Sequence, residues 1–299
     1  MKAGQASDTA AISALMRAAH PLLDTKPWIF VDAMATTLLG LETNAQLYDK
    51  LISLKAELTA RSSSVTADAF LRAARLGGAV RARYAEDVVA KAQRRGLSQY
   101  VILGAGFDSF AYCRRGHASS LRVYELDHPD TQQVKRDRLR GSRTDIPAGS
   151  TLVSVDFEQQ SVFEALEGTD FRRDQPAVFS FLGVSWYLSE QALNRTLREI
   201  ASAAAGSELV MDYLLPPHRL HDEQREVLAL LERVASARGE PGHHCLEPEM
   251  IAARLQQHGF GEVRDLGADE ANVRYFAGRE DALRIPELLR VLSARVGQK

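Results

Sequence analysis

The apolar pattern of the chain changes at Gly96, and this change restricts the fold to one class. Before Gly96 the apolar residues recur at helical spacing, in segments near 8–20, 33–40, 45–60, 66–76 and 79–95. After it, short apolar runs of strand length alternate with helical segments. Strands that alternate with helices predict βαβ units and a mostly parallel sheet covered on both faces. The sequence therefore predicts an α/β fold with a helical N-terminal part.

Five of the apolar runs after Gly96 are predicted as strands of the sheet: Tyr100–Leu103, Leu121–Glu125, Leu152–Val155, Ala177–Leu182 and Glu208–Leu214. Helical patterns lie at 129–140, 160–167, 189–204, 219–237 and 247–258, and strand-like runs follow at 261–266 and 272–277. The sequence contains no internal repeat and no long flexible linker. We therefore expect one structural unit, with an N-terminal helical cap over 1–95 and a core over 96–299 that carries an insertion at about 216–250.

Composition excludes several classes of function. The 299 residues include 37 Lys+Arg and 39 Asp+Glu, a net charge of −2, whereas a general binder of nucleic acid or anionic membrane is markedly basic. The longest uncharged apolar run, Ala177 to Leu188, is shorter than the ~18 residues of a membrane-spanning helix. Cys113 and Cys245 form neither a disulfide framework nor a metal spacing, and the N-terminus has no apolar signal region. We expect a cytoplasmic protein without a nucleic-acid partner, a membrane segment or a metal site.

The most informative segment is a glycine turn after the first predicted strand. The strand leads directly into Gly104-Ala-Gly106, at the predicted start of a helix. Glycines at this place allow a tight turn and let a ligand approach the main chain. The alternative interpretation is a tight turn that binds no ligand.

Acidic residues follow the glycine turn at a spacing typical of nucleotide-binding folds. Glu125 and Asp127 end the second predicted strand, 21 and 23 residues after Gly104, close to the ~20 residues at which an acid binds a ribose. Alternate residues of a strand share a face, so both acids are candidates. Asp108 stands where it would repel the pyrophosphate of a dinucleotide. The charge pattern therefore favours S-adenosylmethionine, which carries an ammonium and a sulfonium but no phosphate, over NAD.

A third acid and an aromatic residue, Asp156 and Phe157, follow the third predicted strand. Ligands of a doubly wound sheet lie across the carboxyl ends of its strands, so the acidic positions are expected to converge on one crevice. There Asp156 can accept a hydrogen bond from an adenine amine, with Phe157 beside the ring. A helix-capping Asp followed by a core Phe is the alternative interpretation.

On these residues the sequence resembles the leucine carboxyl methyltransferase-like family of S-adenosylmethionine-dependent O-methyltransferases, in particular its bacterial branch, which includes polyketide carboxyl methyltransferases. The most specific motifs are Leu103-Gly-Ala-Gly-Phe-Asp-Ser109 and Tyr124-Glu-Leu-Asp-His-Pro129. Further matches along the chain are 7–10, 27–32, 81–87, Lys135, 239–241, 259–260 and 272–276. The resemblance implies a Rossmann-like class I methyltransferase sheet, with helices on both faces and a helical N-terminal cap, and S-adenosylmethionine as the cofactor.

The resemblance also implies roles for individual residues. Arg81 would bind the methionine carboxylate of the cofactor, a role that suits its bidentate geometry. Gly104 would line the cofactor, Asp127 would hold the ribose, and Asp156 with Phe157 would hold the adenine. The remaining members of the predicted cofactor site are Gly106, Asp108, Glu125 and Leu182.

Leu182 is a departure from the family pattern. Eukaryotic members have Glu at this position of the fourth-strand motif, whereas bacterial relatives have a similar Leu-Gly-Val pattern. The departure counts against the eukaryotic substrate, which is the C-terminal carboxylate of a protein.

The class of methyl acceptor decides whether the site needs a base. A carboxylate is already ionised, whereas a phenol or alcohol must lose a proton, usually to histidine. The candidates for such a base are His243 and His244, in a predicted loop, and His218 and His221, which follow the fifth predicted strand. Tyr187, Tyr213 and Tyr275 are candidates for the acceptor pocket, with core packing as the alternative for each.

We therefore expect an O-methyltransferase whose acceptor is a small-molecule carboxylate or hydroxyl, in secondary metabolism. Two alternatives stay open: a protein C-terminal carboxyl methyltransferase, and a non-catalytic protein that binds S-adenosylmethionine.

Overall fold

The structure, a computed structural model, describes residues 7–113, 121–239 and 244–297. Within these ranges seven strands form one sheet: β1 (Gln99–Leu103), β2 (Arg122–Asp127), β3 (Ser150–Ser154), β4 (Val178–Phe181), β5 (Glu208–Leu214), β6 (Phe260–Leu266) and β7 (Leu289–Val296). Their order is β3-β2-β1-β4-β5-β7-β6. The first five strands are parallel, and β7 runs antiparallel between β5 and β6. The predicted α/β fold with a mostly parallel sheet is confirmed.

The helices of the described ranges are α1 (Asp8–Leu23), α2 (Ala35–Leu38), α3 (Asn44–Arg61), α4 (Ser64–Arg94), α5 (Phe110–Cys113), α6 (Pro129–Gly141), α7 (Val162–Leu166), α8 (Glu190–Ala201), α9 (Asp222–Ala237), α10 (Pro248–His258) and α11 (Ala268–Tyr275). Side chains before several of them accept hydrogen bonds from the first turn, as Ser7 does for α1 and Thr43 for α3. None of these helices is long and apolar enough to cross a membrane.

The parallel part of the sheet places a crevice between β1 and β4. The connections from β1 through β3 run towards one edge of the sheet, and those from β3 through β5 run back towards the other. Since such crossovers are right-handed, α5 and α6 lie on one face, and α7 and α8 on the opposite face. The reversal between β1 and β4 opens a crevice at the carboxyl ends of the strands, which is where open α/β sheets bind ligands.

The N-terminal helices share a core with the sheet. Helices α1, α3 and α9 pack against α4, and α4 packs against β4, β5 and β7. Buried apolar residues on both sides of residue 95 belong to one continuous core. The division into a cap over 1–95 and a core over 96–299 therefore stays a prediction about sequence segments.

Three details of the secondary structure prediction were wrong. The run 272–277 was expected to be a strand but lies mostly in α11, and β7 was not predicted. The segments 66–76 and 79–95 form one helix, α4, which runs through Gly77 and Gly78. Gly77 and Gly78 are buried within this helix and do not end it.

Candidate active site

A pocket of about 650 Å³ lies at the carboxyl ends of the parallel strands, within the ~300–1,000 Å³ typical of small-molecule sites. The turns after β1, β2, β3 and β4 form one side, and residues of α1 and α4 form the other. Nine of the predicted site residues line it: Arg81, Gly104, Gly106, Asp108, Asp127, Asp156, Phe157, Leu182 and Tyr187. The crevice expected at the β1–β4 reversal and the predicted cofactor motifs therefore meet in one cavity.

The glycine turn is fixed by backbone conformation and by close contacts. Gly104 has a φ of +66° and Gly106 a φ of +47°, values that favour glycine. A Cβ on Gly104 would lie 2.2 Å from Val184 Cγ2, and one on Gly106 would lie 3.0 Å from Ala10 Cβ. The turn after β1 thus lies directly against the turn after β4 and against α1, and no larger residue fits at Gly104.

Asp127 lies half-buried at the end of β2, with its carboxylate held by the main chain. Its Oδ2 accepts a hydrogen bond from the Gly106 N–H and its Oδ1 one from the His128 N–H, at 2.6 Å for the latter. Burial raises the pKa of Asp127 above its usual value, although both N–H groups and Lys135 oppose the shift. Because each carboxylate oxygen can accept a second hydrogen bond, both retain capacity for a ligand.

Asp156 and Phe157 line the pocket beyond β3. The Asp156 carboxylate accepts hydrogen bonds from the Glu158 N–H (3.0 Å) and the Gln159 side chain (2.8 Å). Phe157 is buried, and its carbonyl accepts a hydrogen bond from Arg195. Both residues thus combine a local structural role with a position in the pocket.

Arg81, on α4, is held from two sides. Its Nη1 donates to Asp212 Oδ2 on β5 at 2.9 Å, and its Nη2 donates to Ser13 Oγ on α1 at 2.7 Å. Leu182 and Gly183 lie beside it in the turn after β4. A Cβ on Gly183 would lie 3.0 Å from Arg81 Nη1, so the guanidinium lies against this turn.

Two charged residues that sequence reasoning missed belong to this network. Arg17, 9% exposed, lines the pocket and donates to Asp32 Oδ2 (2.8 Å), Ser13 Oγ (3.2 Å) and the Phe107 carbonyl (2.6 Å). Asp212, fully buried, binds Arg81 from the otherwise largely apolar strand β5. In each case the available signal was a charged residue within an apolar, buried run.

Glu125 is not part of the pocket lining. It is fully buried, and its Oε2 accepts a hydrogen bond from Lys135 Nζ at 2.5 Å. Lys135 also donates to the Asp108 carbonyl at 2.7 Å, so the pair supports the end of the glycine turn. Burial raises the pKa of Glu125, and Lys135 opposes that shift. We therefore leave Glu125 out of the ligand-binding set.

Among the acceptor candidates that the structure describes, only Tyr187 lines the pocket. Tyr213 donates to Asp265 (2.7 Å) and Tyr275 to Asp87 (2.9 Å), and neither lines the cavity. His244 is exposed and donates its main-chain N–H to the Trp186 carbonyl, while His243 lies outside the described residues. Among the described histidines, only His128 lines the pocket.

The strand order, the antiparallel β7 and the glycine turn at the crevice define the class I methyltransferase fold. A Thermobifida fusca protein described as a methyltransferase has this fold; it is 16% identical, the match covers 99% of this chain and 97% of that one, and the TM-score is 0.59. A DUF574 family protein from Streptomyces avermitilis is 14% identical over 97% of this chain and 98% of its own, with a TM-score of 0.53.

Sequence comparison gives the family. The leucine carboxyl methyltransferase model matches residues 10–201, more than half of the chain. YktD of Bacillus subtilis, an S-adenosylmethionine-dependent methyltransferase by name, is 28% identical over 98% of this chain and 99% of its own. A Mycobacterium tuberculosis protein of similar name is 29% identical over 68% of this chain, which spans about half (56%) of that protein. The chain belongs to the leucine carboxyl methyltransferase family and is a methyltransferase that uses S-adenosylmethionine.

Proposed function

We propose that the protein methylates an oxygen atom of a small molecule, namely a carboxylate oxygen. The observation that carries this proposal is the wall formed by the turn after β4. This wall consists of Leu182, Val184, Trp186, Tyr187 and Leu188. None of these residues is a histidine. An apolar, aromatic wall suits the body of a small organic acid, and a carboxylate needs no base to become nucleophilic.

We propose that the other half of the pocket binds the cofactor, and the side chains present fit this group. Each carboxylate oxygen of Asp127 can accept a second hydrogen bond, from a ribose hydroxyl. Arg81 uses two of its five N–H groups for Asp212 and Ser13, and the others can donate to the methionine carboxylate. Asp108 lines the same stretch and supplies negative charge that suits an ammonium and a sulfonium. Gly104 and Gly106 would let the cofactor approach the main chain, and Asp156, Phe157 and Leu182 would hold its adenine.

When bound, the cofactor would supply the methyl group. The bond between this methyl carbon and sulfur breaks and leaves its electron pair on sulfur, while a lone pair of the acceptor oxygen forms the new bond to the methyl carbon. The chain's own contribution is to position and enclose the reactants. Thr9, Ala10 and Ser13 of α1 line the pocket and would help to exclude water from the transfer path. Trp186 and Tyr187 orient the acceptor, and no residue has to remove a proton from a carboxylate.

The test is methyl transfer from labelled S-adenosylmethionine to panels of carboxylic acids and phenols. A methyl ester releases methanol in mild alkali, whereas a methyl ether does not. Alkali-labile product from an acid supports the proposal; alkali-stable product identifies a hydroxyl acceptor instead. Label retained on protein in a lysate would point to a protein carboxyl group. A role in secondary metabolism rests on the resemblance to polyketide carboxyl methyltransferases, and the identity of the accepted acid tests it.

A further inference from the structure

Asp212 stands out as a buried charge in a strand with no exposed residue. Every residue of β5 is buried, and Asp212 is 0% exposed. Its carboxylate does not line the pocket, but all its hydrogen-bond partners lie at the pocket edge. An ionised group in this position is retained only if its partners compensate the loss of water.

The two carboxylate oxygens of Asp212 serve different parts of the site. Oδ2 accepts from Arg81 Nη1 at 2.9 Å, and Oδ1 accepts from the Gly183 N–H at 2.7 Å. The Asp212 carbonyl accepts from Ser185 Oγ, also at 2.7 Å. One residue of β5 therefore holds both the guanidinium and the turn after β4.

These contacts orient Arg81 and use only part of its hydrogen-bonding capacity. The guanidinium carries five N–H donors, of which one meets Asp212 and another meets Ser13. Its side chain is 15% exposed and lines the cavity. Asp212 thus holds one edge of the guanidinium, and three of the five N–H groups of this pocket-lining residue are not used by Asp212 or Ser13.

We propose that Asp212 is a positioning residue that orients Arg81 towards the carboxylate of the cofactor and anchors the turn bearing the acceptor wall. The inference rests on the proposed function in one respect, that Arg81 binds the cofactor carboxylate. The acid beside Arg81 comes from β5 in this chain, while position 182 in the adjacent turn is Leu. A pair that only stabilised the fold would not discriminate between ligands with and without a carboxylate.

The experiment compares two ligands by calorimetry on the full chain. S-Adenosylhomocysteine carries the amino-acid carboxylate, and 5′-methylthioadenosine lacks the whole amino-acid part. Asp212→Asn keeps an acceptor for Gly183 but turns an amide NH2 towards Arg81, so donor faces donor. We expect the Kd of S-adenosylhomocysteine to rise roughly 10- to 100-fold, as for loss of a charge-assisted hydrogen bond, and that of 5′-methylthioadenosine to change less than about twofold.

Matched variants separate this role from a general loss of structure. Asp265→Asn removes the charge from a partly buried acid bound by Arg290 and Tyr213 outside the pocket, and should leave both Kd values unchanged. Arg81→Gln should reproduce the selective loss, and adding Asp212→Asn to it should weaken binding no further, because the two residues act as a unit. If Asp212→Asn does not fold, Ser13→Ala removes the other contact of Arg81 together with one of Arg17. It should give the same selectivity with a smaller factor, and should have no further effect in the Arg81→Gln background if it acts through Arg81.

The outcomes are distinct. An unchanged Kd for S-adenosylhomocysteine, or equal losses for the two ligands, overturns the positioning role. Additive losses in the double variant overturn it as well. Failure of the wild-type protein to bind S-adenosylhomocysteine refutes the proposed cofactor site itself, and is seen before any variant is made. Loss confined to S-adenosylhomocysteine in Asp212→Asn supports the inference.

Discussion

Two buried acid–cation pairs support the pocket from opposite sides of β1 and β4, and they differ in one respect. Glu125 binds Lys135 beneath the glycine turn, and Asp212 binds Arg81 beside the turn after β4. Both acids are 0% exposed, and each pair holds the main chain of a turn. The Lys135 side chain is 1% exposed and lies outside the pocket lining, whereas that of Arg81 is 15% exposed and lines it.

The comparison shows that a buried pair of a carboxylate and a cation can serve either the fold or ligand binding, depending on whether the cation reaches the pocket. Lys135 donates only to protein groups, at Glu125 and the Asp108 carbonyl, so its removal should act first on stability. Arg81 reaches the cavity, so its removal should act first on ligand binding. The two turns also touch, at Gly104 and Val184.

The largest effect is expected for Lys135→Met, which leaves the Glu125 carboxylate buried without its cation. Breaking a buried pair on one side costs about 3–5 kcal/mol, so the free energy of unfolding measured in urea should fall by that amount. The ratio of the Kd values for S-adenosylhomocysteine and 5′-methylthioadenosine should stay as in the wild type. Glu125→Leu in the same chain removes the stranded charge and should restore much of the stability. A double variant no more stable than Lys135→Met would contradict this account.

Gly104→Ala tests the contact between the two turns. An L-residue in the left-handed region costs roughly 1–2 kcal/mol, and at Gly104 the added Cβ also meets Val184. We expect a further loss of about 1–3 kcal/mol from this overpacking and at least a tenfold weaker binding of S-adenosylhomocysteine.

Gly206→Ala is the matched control, because Gly206 has a φ of +85° and no atom within 4 Å of an added Cβ. It should show the backbone cost alone in urea unfolding, with unchanged ligand affinity. Val184→Ala combined with Gly104→Ala should recover part of the difference. Equal losses for the two glycine variants would mean that the contact between the turns contributes nothing.

The parallel strands of the sheet could be predicted from the sequence because their signals are local. A buried parallel strand is an apolar run, and the close approach at Gly104 requires glycine whatever the partner. The alternation of residues along a strand predicted that Glu125 and Asp127 share a face. It could not predict that Glu125 is buried against Lys135 of the next helix. The Arg81–Asp212 contact joins residues 131 positions apart. Such pairings, like that of β7 with β5, form only in the folded chain.

The pH dependence of cofactor binding tests Asp127, which lines the pocket as Glu125 of the same strand does not. Burial raises the pKa of Asp127, and the proposed contact with both ribose hydroxyls requires the ionised carboxylate. Affinity for S-adenosylhomocysteine should therefore fall as the pH decreases through a pKa above the ~3.9 of an exposed aspartate, with a slope approaching about tenfold per pH unit. Calorimetry between neutral and mildly acidic pH measures this profile.

Asp127→Asn should bind more weakly at neutral pH and lose this slope. An affinity that still falls about tenfold per pH unit in Asp127→Asn would assign the acid loss to another group of the pocket.

The smallest effects are expected for the tyrosines, and they separate the protein core from the acceptor wall. Tyr213→Phe removes the hydroxyl that donates to Asp265 at 2.7 Å, so the free energy of unfolding should fall by about 1 kcal/mol with no change in any KM. Tyr187→Phe alters a residue that lines the pocket and should raise the acceptor KM by no more than about fivefold, with the KM for S-adenosylmethionine unchanged. An acceptor KM that responds to Tyr213→Phe and not to Tyr187→Phe would place the acceptor at the β5–β6 side of the sheet. In that case the turn anchored by Asp212 would not belong to the acceptor site. The buried Arg81–Asp212 pair would then serve cofactor binding alone.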